Sequence, residues 1–251
     1  MSQIDSLRAN FEAIRARIAA ACQRVGRDPS EVRLLPVSKT VDEARLRAAY
    51  ALGIRELGEN KVQEAQSKSE AMADLDDLRW VLIGHLQSNK AKHAARFISE
   101  FQALHTNSLA ETLDRRLQME GRAIDVLVQV NTSGEESKFG LPPDEVVDFV
   151  RTLPAYSSLR VRGLMTLAMF SKDESLVRPC FVRLRELRDR LRQEAPDGIG
   201  MDELSMGMSG DFEMAIEEGA TTVRVGTAIF GARPTADSDY WPGFAGGKSG
   251  A

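Results

Sequence analysis

Eight short apolar runs, each followed by a polar loop and most then by residues in helical spacing, are what most limits how this chain can fold. The pattern predicts strands over residues 33–38, 54–57, 80–83, 101–105, 124–130, 161–165, 203–205 and 222–225. Helical spacing is predicted over 42–52, 61–72, 91–97, 109–119, 143–152, 175–193 and 212–218, and over 6–25 ahead of the first strand. No hairpin turn signal joins two of the runs, so the strands are connected through helices and run parallel. Eight such units in 251 residues predict an α/β fold, a single (β/α)8 TIM barrel with an extra N-terminal helix, over an open doubly wound sheet. The barrel is expected to cover residues 1–233, with 1–26 as the leading helix and its stop. Residues 234–251 are expected to form a partly disordered C-terminal tail, because 245–251 is low in complexity.

The composition removes several function classes. With 43% hydrophobic and 28% charged residues the chain reads as an ordinary soluble domain, and a net charge of -4 advertises no nucleic-acid surface. Cys22 and Cys180 lack a CxxC or zinc spacing and read as small buried hydrophobes. His85, His93 and His105 contain no HxxxH pair, so no metal is expected, and only His85 is placed to line a barrel mouth. The arginine-rich stretch 182–192 carries Glu186 and Asp189 with leucines on one face, which reads as a solvated amphipathic helix and not as an RNA contact. The N-terminus is too charged for a signal peptide, and no apolar run nears the ~20 residues of a membrane span. The expected location is cytoplasmic.

In such a barrel, chemistry belongs to the loops after the strands. Lys39 follows the apolar run Leu34, Leu35, Val37, and it either points into the mouth or snorkels from the strand end into water. Further loops along the same rim offer Ser38, Glu59 and Asn60, then His85, Gln87, Ser88 and Asn89, then Asn131, Ser133 and Lys138, then Met165 and Thr166. SMGMSGD, residues 205–211, sets two glycines and two serines before a helix, and VRVGTAIFG sets Gly226 and Thr227 directly after the last strand. Glycines admit backbone N–H groups close to an anion, hydroxyls add donors, and the loops after strands seven and eight are the recurrent phosphate site of this fold. Taken singly, each motif also reads as a tight turn or a helix cap.

Arg224 alternates with Val223 and Val225 in TTVRV. It faces either the barrel interior or outward, toward an acid such as Glu217 or Glu218. A lysine amine, a phosphate cradle and an inward arginine on one mouth point to pyridoxal 5′-phosphate. Lys39 would form the Schiff base, and an arginine beside the pyridine nitrogen would disfavour its protonation and weaken the cofactor as an electron sink.

Longer motifs carry a resemblance. LLPVSKT, GENKVQEA, WVLIGHLQSNKAK, VNTSGEESKFG, VRGLMTLA and SMGMSGDFEMAIEEGATTVRVGTAIFGAR resemble, in order over residues 32–233, the pyridoxal phosphate homeostasis proteins, which look like the barrel half of alanine racemase. The resemblance implies an internal aldimine on Lys39, phosphate contacts from the loop holding Ser205, Gly207 and Ser209 and from Gly226 and Thr227, and Arg224 near the ring nitrogen. It implies that Asn60, Met165 and Lys138 border the pocket, while Lys61 departs from an aromatic position of many relatives. It further implies PLP homeostasis without robust catalytic turnover, with PLP-dependent apoenzymes as possible recipients. The alternative is a PLP-dependent amino-acid racemase-like enzyme. Against it, little chain follows Arg233 to build a second domain, and none of Tyr50, Tyr156 and Tyr240 is placed for acid-base work on a substrate's second face, so a monomer is expected. A barrel that binds a sugar phosphate without a Schiff base is the third reading.

Overall fold

The clearest apolar run, IDVLVQV, forms the strand at the middle of the sheet, and its neighbours are added on both sides in chain order. The computed structural model describes residues 3–135 and 139–231. In chain order the elements are α1 (Gln3–Arg24), β1 (Arg33–Pro36), α2 (Glu43–Ala51), β2 (Glu56–Glu59), α3 (Val62–Ala71), β3 (Arg79–Leu82), α4 (Ala91–Phe97), β4 (Ile98–Leu104) and α5 (Asn107–Met119). They continue as β5 (Ile124–Val130), α6 (Val146–Thr152), β6 (Leu159–Thr166), α7 (Glu174–Glu194), β7 (Glu203–Ser205), α8 (Phe212–Glu217), β8 (Thr222–Val225) and α9 (Thr227–Phe230).

All eight strands are parallel, in the order β1-β8-β7-β6-β5-β4-β3-β2. The two ends of that series meet through one bridge, Val37 to Gly58, where the Ser38 N–H donates to the Gly58 carbonyl at 2.9 Å. The sheet is thus a nearly closed TIM-type barrel. Leu35, Leu82, Phe101, Leu127, Leu164 and Leu204 are among the fully buried strand residues that make up the core. Three helices begin where the sequence offers acceptors: Asp42 caps α2, Thr106 caps α5 and Asp173 caps α7, each through its side-chain oxygen.

α1 buries Leu7, Ile14, Ile18, Ala21 and Cys22 and packs on α8, α9 and α2. Arg17 pairs with Glu213, Arg24 with Glu217, and Asn10 Nδ2 donates to the Ile229 carbonyl at 3.0 Å. The added helix therefore braces both α8, ahead of β8, and the segment that follows β8. The amphipathic reading of α7 holds: Val177, Cys180, Phe181, Leu184, Leu187 and Leu191 face the core, while Arg178 and Arg185 pair with Glu217 and Glu218 of the α8 end. Cys22 and Cys180 are both buried thiols.

Several boundaries differ from the sequence pattern. β2 covers Glu56–Glu59 and not 54–57, because the ladder runs on through Gly58 and Glu59, whose carbonyl accepts the Ile83 N–H at 2.9 Å. β4 begins at Ile98 with no loop after α4, and β6 extends to Leu159–Thr166. α6 begins at Val146, after a turn that takes up residues 142–145. α9 has no counterpart in the expected helices. The tail 234–251, with Tyr240, lies outside the described residues, as does Lys138.

Candidate functional site

A lysine at the end of a buried strand needs a reason to stay there, and here Lys39 is only 4% exposed, so it does not snorkel into water. With Val37, Thr40, Asp42 and Arg45 it lines a cavity of about 190 Å³ whose other wall is Gly226, Thr227, Phe230 and Gly231. The opening and closing strands are neighbours in the sheet, paired from Arg33 and Thr222 to Pro36 and Val225, so the loops that follow them share one rim.

The backbone around Lys39 is fixed from behind by a cluster that lacks a contiguous sequence signal. Ser38 Oγ donates to Glu59 Oε1 at 2.6 Å, and Lys68 Nζ donates to the same oxygen, to the Ser38 carbonyl and to Glu64 Oε1, each at 2.7 Å. Glu64 Oε1 also accepts the Thr40 N–H at 2.6 Å, and Thr40 is the one described non-glycine residue with positive φ, at 65°. The residues before and after Lys39 are thus each tied to α3. Glu59 is completely buried, and its second oxygen, Oε2, has no hydrogen-bond partner. Burial pushes its carboxyl up to about 7, against the pull of Lys68. Ser38 and Glu59, expected among the ligand-facing residues of the rim, instead bond to each other on the helix side of the strands. The one local hint of this cluster is the Glu64–Lys68 spacing of four on a helix.

The β7 and β8 loops bring the next residues together. Gly207 has φ +91°, and a Cβ there would lie 2.6 Å from the Ala215 Cβ and 2.8 Å from the Phe212 Cα, so only glycine fits. Its carbonyl accepts the Arg224 N–H at 3.0 Å. The Met208 N–H donates to Asp211 Oδ1 at 2.6 Å, and Thr227 Oγ1 donates to Ser209 Oγ at 3.3 Å, which joins the two loops. α8 and α9 are short, six and four residues.

Arg224 faces the barrel interior. It is 3% exposed, Nη1 donates to Ser205 Oγ at 2.6 Å, and Nη2 donates to the Thr166 carbonyl at 2.8 Å. The outward pairing with Glu217 or Glu218 does not occur; those acids serve Arg24, Arg178 and Arg185. Burial lowers the guanidinium to about 10, with the Asp211 charge opposing, which leaves it a cation at neutral pH. Ser205 is fully buried, and its hydroxyl lies between Arg224 and Gln102. Met165 is fully buried in β6, opposite Ser205 in register. Asn60 is half-buried after β2, and its backbone carbonyl crowds Gly84, where a Cβ would come within 2.2 Å of it. Of the expected site residues, Lys39, Gly226 and Thr227 line this cavity, whereas Asn60, Met165, Ser205, Gly207, Ser209 and Arg224 do not.

Elsewhere on the same rim, after β3, β4 and β5, His85 stacks on Phe139 with ring centroids 4.2 Å apart, and His105 stands 5.5 Å from His85, so two histidines rather than one share that edge. Among the described residues no group of three His, Cys, Asp or Glu side chains could hold a metal ion. Among them, too, no helix is long and apolar enough to cross a membrane.

The family model for the alanine racemase N-terminal domain matches residues 5–234. The pyridoxal phosphate homeostasis protein of Aquifex aeolicus is 42% identical over 217 residues, 86% of this chain and 94% of that protein. The protein of the same name from Pseudomonas aeruginosa is 42% identical over 224 residues, covering 89% of this chain and 94% of its own length. Among solved structures, PipY of Synechococcus elongatus with PLP bound superposes with a TM-score of 0.76 at 38% identity, over 87% of this chain and 100% of PipY.

Proposed function

We propose that this chain, which belongs to the alanine racemase N-terminal domain family and within it to the pyridoxal phosphate homeostasis proteins, binds pyridoxal 5′-phosphate through a Schiff base on Lys39 and serves PLP homeostasis without robust catalytic turnover. The observation that carries the reading is that a buried amine and the Gly226–Thr227 turn line one cavity. The residues present fit the cofactor. It supplies, when bound, an aldehyde that condenses with an amine and a pyridine ring that withdraws electrons.

Each part of the site has a task toward it. Lys39 would hold the cofactor through its amine, for which the aldehyde is the partner and water the leaving group. The Thr227 and Ser209 hydroxyls, with backbone N–H groups of the Gly226 turn, would take the phosphate, and Gly207 keeps the β7 loop tight against α8. Arg224 would give the ring nitrogen a donor that cannot accept a proton, which would keep the ring a weak electron sink and favour holding the aldehyde over carbanion chemistry. Ser205 would act on the cofactor through Arg224, while Met165 and Asn60, outside the Lys39 cavity, are given no direct contact with it.

The protein acts as a cytoplasmic monomer that stores PLP for PLP-dependent apoenzymes. Borohydride reduction of the loaded protein, followed by peptide mass spectrometry, is expected to leave a phosphopyridoxyl adduct on Lys39, and Lys39→Ala to lose the adduct and the visible absorption. A loaded protein with no adduct overturns the covalent reading, and a protein that takes up no PLP overturns the function. Faster PLP release when an apo acceptor enzyme is present is the expected sign of handover; an unchanged rate refutes it.

A further inference from the structure

A directed chain of hydrogen bonds crosses the barrel interior. Arg224 Nη1 donates to Ser205 Oγ at 2.6 Å, Ser205 Oγ to Gln102 Oε1 at 2.6 Å, and Gln102 Nε2 to Glu100 Oε1 at 2.6 Å. The far oxygen of Glu100 is held by Arg33 Nη1 at 2.7 Å, and Arg33 Nε is in turn on Glu56 at 2.7 Å. The chain joins β8, β7, β4 and β1, which are not all neighbours, so it passes through the space the strands enclose. Gln102 and Ser205 are fully buried, and Gln102 sits where the register of β4 on β5 shifts, between Phe101 and Leu104. A buried amide that makes two bonds of opposite sense sets the polarity of everything attached to it. Its carbonyl accepts a hydrogen bond from the Ser205 hydroxyl, so the serine oxygen is left to accept from Arg224.

We propose that Gln102 is a positioning residue for the cofactor: it locks the Ser205 hydroxyl, and Ser205 in turn locks the guanidinium of Arg224. The role deepens the PLP reading above and rests on it, because its effect is felt through the ring nitrogen that Arg224 meets. Without the amide the serine proton is free to turn toward other acceptors, and the guanidinium loses one of its two fixed contacts.

The test uses the full chain loaded with PLP labelled with ¹⁵N in the ring, as wild type, Gln102→Met, Ser205→Ala and the double variant. Expected are a ring-nitrogen signal displaced in the same direction in all three variants and PLP dissociation faster by about tenfold, the worth of one net hydrogen bond. Because one chain of bonds is cut in each case, the double variant is expected to match the singles and not their product. If Gln102→Met does not fold, Gln102→Asn, one methylene too short to span both partners, takes its place. Variants that lower the unfolding temperature yet leave the ring-nitrogen signal at its wild-type position overturn the proposal, as does a multiplicative double variant. Failure of the wild type itself to load PLP strikes the underlying reading instead, so the two failures are distinct.

Discussion

Replacing Glu59 by glutamine isolates the cost of holding a carboxylate behind the Lys39 loop. In the folded protein this group titrates near 7, against 4.5 for an ordinary glutamate. Below about pH 4.5 the folded and unfolded chains both hold the proton. As pH rises from there toward 7 the unfolded chain gives it up while the folded chain keeps it, so unfolding is progressively favoured, and above 7 the penalty is complete. At about 1.4 kcal/mol per unit of pKa difference the full penalty is about 3 kcal/mol. The fall between pH 5 and pH 8, where part of the window has already passed, is about 2 to 3 kcal/mol. Glutamine has no such proton. Its carbonyl can still accept from Ser38, its amide gives polarity to the position where Oε2 has no partner, and Lys68 keeps the Ser38 carbonyl and Glu64. Urea unfolding of wild type and Glu59→Gln at pH 5, 6, 7 and 8 should therefore show the variant gaining on the wild type by that amount across the series. A difference that stays constant with pH, or a wild type that gains on the variant as pH rises, refutes the reasoning and makes the Glu59–Lys68 pair a net stabiliser of its ionised form.

Three further outcomes are expected. Gly207→Ala forces a side chain into a positive-φ position against Ala215 and Phe212, which should cost about 2–4 kcal/mol in urea unfolding. Lys68→Met leaves Glu59 and Glu64 without their shared cation and should cost about 3 kcal/mol near pH 8, with part of the loss recovered toward pH 5 as Glu59 takes up its proton. Thr227→Val combined with Ser209→Ala should weaken binding of inorganic phosphate and of PLP together, each by about tenfold, measured by titration calorimetry. Loss of PLP affinity with phosphate binding unchanged would move the anion site elsewhere.

The strand and helix alternation was legible because a period of two and a period of 3.6 leave different marks in sequence. Residues 124–130, 203–205 and 222–225 are strands at the bounds the pattern predicts. β2 was displaced because Gly58 and Glu59 have loop-like side chains, whereas their place in the ladder is set by backbone bonds to β1 and β3. The inward face of Arg224 could be narrowed to two options by alternation but not chosen, since the choice depends on which acids α1 and α7 claim. Gln102 left only a trace: with Glu100 it puts two polar side chains of the same parity into an apolar strand, and its partner Ser205 lies 103 residues away.

What brought Lys39 to the Gly226–Thr227 turn was ring closure and no local motif. In an open sheet, first and last strands are set by the winding order and can lie far apart. Here β1 pairs directly with β8, so the segment after the first strand and the segment after the last must be adjacent, although 187 residues separate Lys39 from Gly226 by sequence number (226 − 39). The seam on the other flank of β1 is a single bridge, Val37 to Gly58. The Ser38, Glu59, Lys68 and Glu64 cluster sits at that bridge. That join of the ring and Lys39 are therefore held by the same side chains, and a substitution that loosens the cluster acts on barrel closure and on the direction of the amine at once.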